Sequence, residues 1–183
     1  MEFRATRPDV IRAVNQRWLM NYWKHAKAGR TLPLWQELEG RGFDGMVANL
    51  SIADVVPSDG DVRFLIRYHG ARITEACGCD CDGRYLDEVL PPTFRDVALA
   101  TYRQVTKTRQ AVYTSVDITD IDGHLVHFER LLLPFSSGGD TVTRILASLE
   151  MISPDGAFQT RDLMASARTP SSYAVYATIA DGI

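Results

Sequence analysis

Residues 125–151 read LVHFERLLLPFSSGGDTVTRILASLEM, and they constrain the architecture more tightly than any other part of the chain. Two largely apolar runs flank a polar, glycine-rich loop at 136–140, which is typical of a β-hairpin, and Pro134 is predicted to stop the first strand. In the second run, apolar or small residues alternate with Arg144, Ser148 and Glu150. This alternation predicts one buried face and one solvent-exposed face.

The segments upstream of this hairpin supply the remaining elements of an antiparallel sheet. A strand is predicted over 112–118, and strands over 46–52 and 62–69 flank a turn at Pro57–Gly60. Phe64, Ile66 and Tyr68 are expected to share one face of the second of these strands. A helix over 93–107, capped by Thr93, places residues at intervals of three and four: Phe94, Val97, Ala98, Thr101, Tyr102 and Val105. The pattern predicts an α+β fold, a five-stranded antiparallel sheet with helices on one face.

Length and composition exclude several classes of protein. The 183 residues suit one domain with extensions, which can bury about 70% of its unfolded surface without disulfides or metal. A net charge of −3 gives no electrostatic case for binding nucleic acid or an anionic membrane. No apolar run approaches the roughly 20 residues of a membrane span, and no apolar signal sequence is present. We therefore expect a cytoplasmic protein, and its three cysteines argue against a disulfide framework.

The two ends of the chain are predicted to flank this domain. Residues 1–45 form an N-terminal helix and a connection, residues 46–152 the domain, and residues 153–183 a C-terminal tail. The N-terminal helix, capped by Thr6 and ended by Gly29, carries a broad apolar stripe: Val10, Val14, Trp18, Leu19, Tyr22, Trp23 and Ala26. Residues 173–179 of the tail can form a strand, and the sequence does not fix its place in the fold.

Four blocks, in the correct order, resemble a family of short bacterial proteins that consist of a single PAS domain. The resemblance covers about Trp18 to Met151 and departs from the family at 39–45, where a proline-centred connection is usual. The matching blocks are Tyr22-Trp23 with 29–33; 67–73; Gly78 with 80–86; and 129–136 with Gly139, Val142 and Ile145-Leu146.

The resemblance implies a PAS fold and a non-enzymatic sensor that signals through another protein. It would bind a small molecule, a signalling partner protein or both, and it is expected to be a homodimer. The ligand would lie between the sheet and the long helix. The polar residues expected to reach it are Tyr68, Tyr102, His127 and Arg130.

Two of these expectations concern charge and cofactors. An inward Arg130 implies a carboxylate on the protein or on a ligand, whereas an outward one would pair with Glu129 or Asp117. The cofactor is unknown. Haem is disfavoured because no histidine lies between Arg84 and Gly123, and flavin because the Asn-Cys-Arg-Phe run of blue-light PAS domains is absent.

Two alternatives stay open. In one, the protein is a small α+β enzyme in which His127, Tyr68 and Asp117 perform acid–base chemistry, although no catalytic motif is evident. In the other, Cys77, Cys79 and Cys81 form a redox or metal switch. No metal site is assigned, because the sequence shows no second arm of ligands at a familiar spacing. The plainer interpretation is that Cys77 fills the core and the other two lie in a turn.

Overall fold

One seven-stranded sheet organises the chain in the computed structural model, which describes residues 2–38, 43, 45–154, 156–166 and 174–180. Its spatial order is β1-β7-β4-β5-β6-β2-β3. The elements are β1 (Arg4–Thr6), α1 (Val14–Lys27), β2 (Leu50–Ser58), β3 (Asp61–His69), α2 (Ala71–Cys77), α3 (Leu86–Val89), α4 (Pro92–Thr108), β4 (Val112–Thr119), β5 (Leu125–Phe135), β6 (Arg144–Ile152), α5 (Leu163–Ser166) and β7 (Ala174–Ile179).

The five predicted strands, β2 to β6, form one continuous antiparallel layer. The sequence predicts the hairpin of β5 and β6, and the structure places it in the middle of the sheet. Pro134 does not stop β5, however, but pairs with Ile145 inside the ladder. At that point the pairing of β5 with β4 has already ended at Leu132. Among the described strands β6 is then the only neighbour, so a missing N–H is tolerated.

Two strands beyond the predicted five extend the sheet. The tail strand β7 pairs antiparallel with β4, and β1 pairs parallel with β7 at the edge. Residues Ala174–Ile179 of the tail are therefore held in the sheet by backbone hydrogen bonds, and Ala177 and Ile179 are buried. The predicted turn at Thr169–Ser172 and most of the unusual segment at 39–45 lie outside the described residues.

Helices cover both faces of the sheet. One face, here called the α4 face, packs against α2, α3 and α4. The opposite face, the α1 face, packs against the N-terminal helix through Leu19, Met20 and Trp23. The face of β6 that the sequence predicts to be solvent-exposed is covered by this second layer. Ser148 and Glu150 are buried there, because α1 and the turn before β2 lie over them.

Three predicted boundaries move for local reasons. α4 begins at Pro92 rather than at Thr93, because proline suits the first turn of a helix. α1 begins at Val14, after a separate short turn at Pro8–Val10, so Thr6 lies in β1 and does not cap it. The first strand of the domain begins at Leu50 rather than at 46, since residues 47–49 form a 3₁₀ turn.

A β-bulge in β3 changes which side chains face α4. Ile66 pairs with Ala53, but Tyr68 pairs with Ile52, so Arg67 is an extra residue and the alternation reverses beyond it. Phe64 and Ile66 lie in the α4-face core, as predicted. Tyr68 does not share their face; its hydroxyl donates to the Val47 carbonyl on the other side of the sheet.

None of the helices in the described ranges has the length and apolar character that crossing a membrane requires.

Candidate functional site

The α4 face carries a buried cation near the middle of the sheet. Arg130 lies on β5 between Phe128 and Leu132, and only 8% of it is exposed. Among the described residues it has no ion pair, and its Nε has no hydrogen-bond partner. Burial lowers the pKa of its guanidinium. Burying an isolated cation costs on the order of several kcal/mol unless a partner of opposite charge is supplied.

The two protein carboxylates that the sequence predicts as partners of an outward Arg130 do not pair with it. Glu129, its neighbour in sequence, points to the α1 face, as alternation along a strand requires. Asp117 instead contacts His127, with 2.5 Å between Oδ1 and Nδ1. Neither Glu129 nor Asp117 therefore supplies a carboxylate that neutralises Arg130.

Two tyrosines flank Arg130 on the same face. Tyr102 comes from α4, and burial raises its pKa to about 12, so its hydroxyl stays protonated near neutral pH. Tyr176 comes from β7, and the register aligns it with Thr114 and Arg130 in a row across three strands. A phenol hydroxyl and a guanidinium are both hydrogen-bond donors to an anion.

Arg130 borders two small cavities beneath the helices. One, of about 30 Å³, is lined mainly by apolar side chains, including Phe94, Val97 and Phe128. The other, of about 20 Å³, also contacts Tyr102 and His69. Each has room for only one or a few water molecules. Met164 of α5 is buried, and its flexible side chain lines both cavities.

A larger groove lies at the edge of the sheet formed by β1 and β7, and Tyr176 lines both this groove and the first of the two cavities. It has a volume of about 400 Å³ and is lined by residues of β1 and β7. None of its polar side chains is buried, so the groove offers no fixed polar contact of the kind that orients a ligand.

The four predicted ligand contacts do not converge. Tyr102 and Arg130 share one of the two α4-face cavities, whereas Tyr68 and His127 lie on the α1 face. The bulge at Arg67 turns His69, not Tyr68, toward the cavities. Tyr176 and Met164 were missed because they belong to the tail, whose place beside β4 has no local signal in the sequence. Whether Tyr68 and His127 contact a ligand stays a prediction.

The residues required by the enzyme hypothesis are not assembled. Asp117 and His127 form a pair on adjacent strands. Tyr68, however, lies on β3, and two strands, β6 and β2, separate β3 from β5. Three strand spacings correspond to about 14 Å, which is far beyond hydrogen-bond reach.

A second group of buried polar residues lies under α1. Glu129 and Glu150 are directly opposite each other on β5 and β6. Asn49 donates to Glu150 over 2.9 Å, and Gln16 donates to the carbonyl oxygens of Glu129 and Ser148 over 3.3 and 3.0 Å. The two hydrogen bonds of Gln16 join the start of α1 to β5 and β6.

Burial raises the pKa of Glu150, so the folded state favours its protonated form. Protonation of Glu150 therefore stabilises the folded state fully at pH values below the ordinary glutamate pKa. This contribution is lost as pH rises through the raised pKa. We expect Glu150→Gln to raise the melting temperature by a few degrees at pH 7.5, with a gain that shrinks toward pH 4.5. Thermal unfolding of both proteins across this range checks it. Glu2→Gln, at an exposed site, is the control; a gain independent of pH would contradict the prediction.

The comparison with known families is consistent with this architecture. A family model described as PAS domain matches residues 11–150, which is more than half of the 183-residue chain. The match begins before α1 and ends within β6, so it includes both helix layers. A search of curated proteins finds no match to the chain.

Proposed function

The chain belongs to the PAS domain family, whose members are sensory or regulatory modules, and from this premise we propose that it is a non-enzymatic sensor of a small organic carboxylate. The observation that carries the proposal is Arg130, a buried cation without a carboxylate partner among the described residues. A guanidinium accepts a carboxylate through two parallel hydrogen bonds, and this geometry makes arginine the preferred residue for such anions.

The lining of the pocket favours one class of acid. Phe94, Phe128 and Met164 supply apolar surface, while Arg130 supplies a single positive charge. A monocarboxylate with an apolar body matches both features, whereas a phosphate would bring more negative charge than this site balances. Tyr102 and Tyr176 are positioned on either side to donate further hydrogen bonds. The ligand we propose is therefore a short aliphatic or aromatic acid.

Binding of such an acid requires the pocket to open. The cavities of about 30 and 20 Å³ are smaller than an acid of several carbon atoms. Met164 and α5 are the elements that can move away, because α5 is only four residues long. The liganded and unliganded proteins therefore differ in structure, which is what a sensor requires.

We propose that the signal passes through β5 to α1 and from there to a signalling partner protein. Arg130 faces the ligand, and the carbonyl of the adjacent Glu129 accepts a hydrogen bond from Gln16 of α1. A ligand that draws Arg130 toward the α4 face thus acts on a strand that α1 contacts directly. In this proposal residues 46–152 sense the ligand, residues 1–45 carry the output, and the tail completes the pocket with Tyr176.

The experiment is a thermal-unfolding panel with benzoate, phenylacetate and hexanoate, each compared with its neutral amide. An acid at about 100 times its Kd stabilises the protein by about 2.7 kcal/mol, which raises the melting temperature by several degrees. The amides lack the charge and should have no effect. If no acid raises the melting temperature, or if amides act as strongly as acids, the proposed carboxylate site is wrong.

We also propose that α1 mediates a homodimer. Its outer side exposes Val14 at 70% and Trp18 at 49%, one helical turn apart. Trp18 stacks on Tyr22, with 5.7 Å between ring centroids, and Phe43 contacts both rings edge-on. A second copy of this patch is its proposed partner, since a two-fold axis places like residues together.

Replacing Trp18 tests this patch. We expect Trp18→Lys to weaken self-association at least about tenfold, because a charge would be placed in an apolar contact. Sedimentation equilibrium measures the dissociation constant. Ile121→Lys, which changes another exposed apolar residue to lysine in the turn before β5, serves as the control. A wild-type chain that stays monomeric at high concentration, or equal effects of the two substitutions, would contradict the dimer proposal.

A further inference from the structure

Two thiols and a half-buried imidazole converge at the edge of the α4 face, and a third thiol lies beside them. The ligand atoms of His69, Cys77 and Cys81 all lie within 4.8 Å of one another. The sulfur of Cys79 is 3.4 Å from that of Cys81. All three cysteines are free thiols. The Nδ1 atom of His69 is buried and has no hydrogen-bond partner among the described residues.

The backbone explains how residues eight to twelve positions apart meet. His69 is the last residue of β3, and α2 follows, ending at Cys77. Gly78 adopts a φ of 72°, which reverses the chain after the helix. This positive φ favours glycine, and an added Cβ would also lie 2.0 Å from a side-chain oxygen of Asp162, which would have to move.

The returning segment is then fixed against β3. The amide of Gly83 donates to the Ile66 carbonyl over 2.8 Å, and the amide of Ile66 donates to the Arg84 carbonyl over 3.0 Å. The amide of His69 donates to the Asp82 carboxylate over 2.8 Å. These bonds hold Cys81 beside His69, so His69 supplies the second arm of ligands that the cysteine run itself lacks.

From this juxtaposition we infer that His69, Cys77, Cys79 and Cys81 bind one thiophilic divalent metal ion, with Zn²⁺ as the ion of best fit. Three thiolates and one imidazole are an established donor set for structural zinc. Zn–S bonds of about 2.3 Å in a tetrahedron place sulfurs about 3.8 Å apart, close to the observed spacing of Cys79 and Cys81. Each thiol releases its proton as it binds, and no electron is transferred.

This site is distinct from the carboxylate site, although the two share a wall. His69 and Cys77 line the same cavity as Arg130. The metal inference rests on donor atoms at the cavity edge, whereas the carboxylate proposal rests on Arg130. Either can therefore fail without the other.

The test uses the full chain, freshly purified under reducing conditions, stripped of metal and titrated anaerobically with Co²⁺ alone. We expect one equivalent to bind, with the visible absorption of a tetrahedral centre and a near-ultraviolet thiolate-to-cobalt band, and Zn²⁺ to displace it. Elemental analysis of the protein before stripping should show close to one zinc per chain. Absence of the thiolate band at saturating Co²⁺ would overturn the inference, as would a Cys77–Cys81 disulfide formed in place of metal binding.

Single substitutions identify the ligands. Cys79→Ser, at an exposed position that tolerates polarity, should lower cobalt affinity by more than about tenfold and reduce the thiolate band by one third. His69→Gln should lower the affinity by a similar factor while leaving the thiolate band of three sulfurs. Cys81→Ser alters a buried residue, so its folding is checked by circular dichroism before titration.

Two controls separate this site from its surroundings. His25→Gln removes an exposed imidazole on α1 and should leave cobalt binding unchanged. Arg130→Met abolishes the proposed carboxylate site and should also leave the cobalt spectrum unchanged. Cobalt binding that survives both Cys79→Ser and His69→Gln would show that the metal is held elsewhere, and the assignment would be wrong.

Discussion

Arg130→Met is expected to stabilise the unliganded protein and to abolish its response to carboxylates. The substitution replaces an isolated buried cation by an apolar side chain of similar length among Phe94, Val97 and Phe128. Exchanging buried charge for well-packed apolar groups can stabilise a protein by about 1–4 kcal/mol. For a chain of this size each kcal/mol raises the melting temperature by about 2–4 °C. Thermal unfolding with and without each acid measures both effects at once.

A matched substitution at a paired arginine should have the opposite effect. Arg144 on β6 donates to Asp54 over 2.6 Å, and its guanidinium lies 4.7 Å from the centroid of the Trp35 ring. Arg144→Met removes these contacts and should lower stability while preserving the response to acids. Arg130→Lys keeps the charge but not the bidentate geometry, so it should bind acids more weakly than wild type. Destabilisation by Arg130→Met equal to that by Arg144→Met would mean that Arg130 has a structural partner.

The central sheet could be predicted because local patterns coincide with tertiary requirements there. The turn at Pro57–Gly60 places Asp59 and Gly60 at positive φ, as a tight hairpin needs. The apolar side of α4 buries Ala98, Tyr102 and Val105 against the sheet, at the predicted spacing. In such segments, the turn residues and the spacing of the apolar residues predict the same structure that tertiary packing favours.

The candidate site was only partly predictable, for two physical reasons. Apolar residues occupy both faces of β5 because α1 covers one face and α4 the other, so alternation alone could not say which way Arg130 points. The bulge at Arg67 is set by the pairing of β3 with β2 and has no signature in the sequence. It turns His69 to the α4 face and Tyr68 away from it. The contribution of Tyr176 depends on a long-range pairing of the tail with β4.

The largest loss of stability is expected for Trp23→Ala. Trp23 is fully buried between α1 and the sheet, and its Nε1 donates to the Pro134 carbonyl over 2.7 Å. This bond also satisfies an oxygen in the part of β5 that extends past β4. Truncating a buried tryptophan costs about 3–5 kcal/mol, a large fraction of the 5–15 kcal/mol or so that holds a typical domain together. Urea unfolding monitored by circular dichroism gives the change in free energy.

Two further variants identify what Trp23 contributes. Trp23→Phe retains most of the apolar volume but leaves the Pro134 carbonyl without its donor, so it should cost about 1–3 kcal/mol. Trp18→Ala, on the exposed side of the same helix, should change the free energy of unfolding by less than about 1 kcal/mol when measured on the monomer. Because α1 is the proposed route of output, Trp23→Ala should also make α1 more sensitive to proteolysis while acids still bind at Arg130. If Trp23→Ala and Trp18→Ala prove equally mild, α1 is not anchored to the sheet through this tryptophan, and the route from Glu129 to Gln16 loses its support.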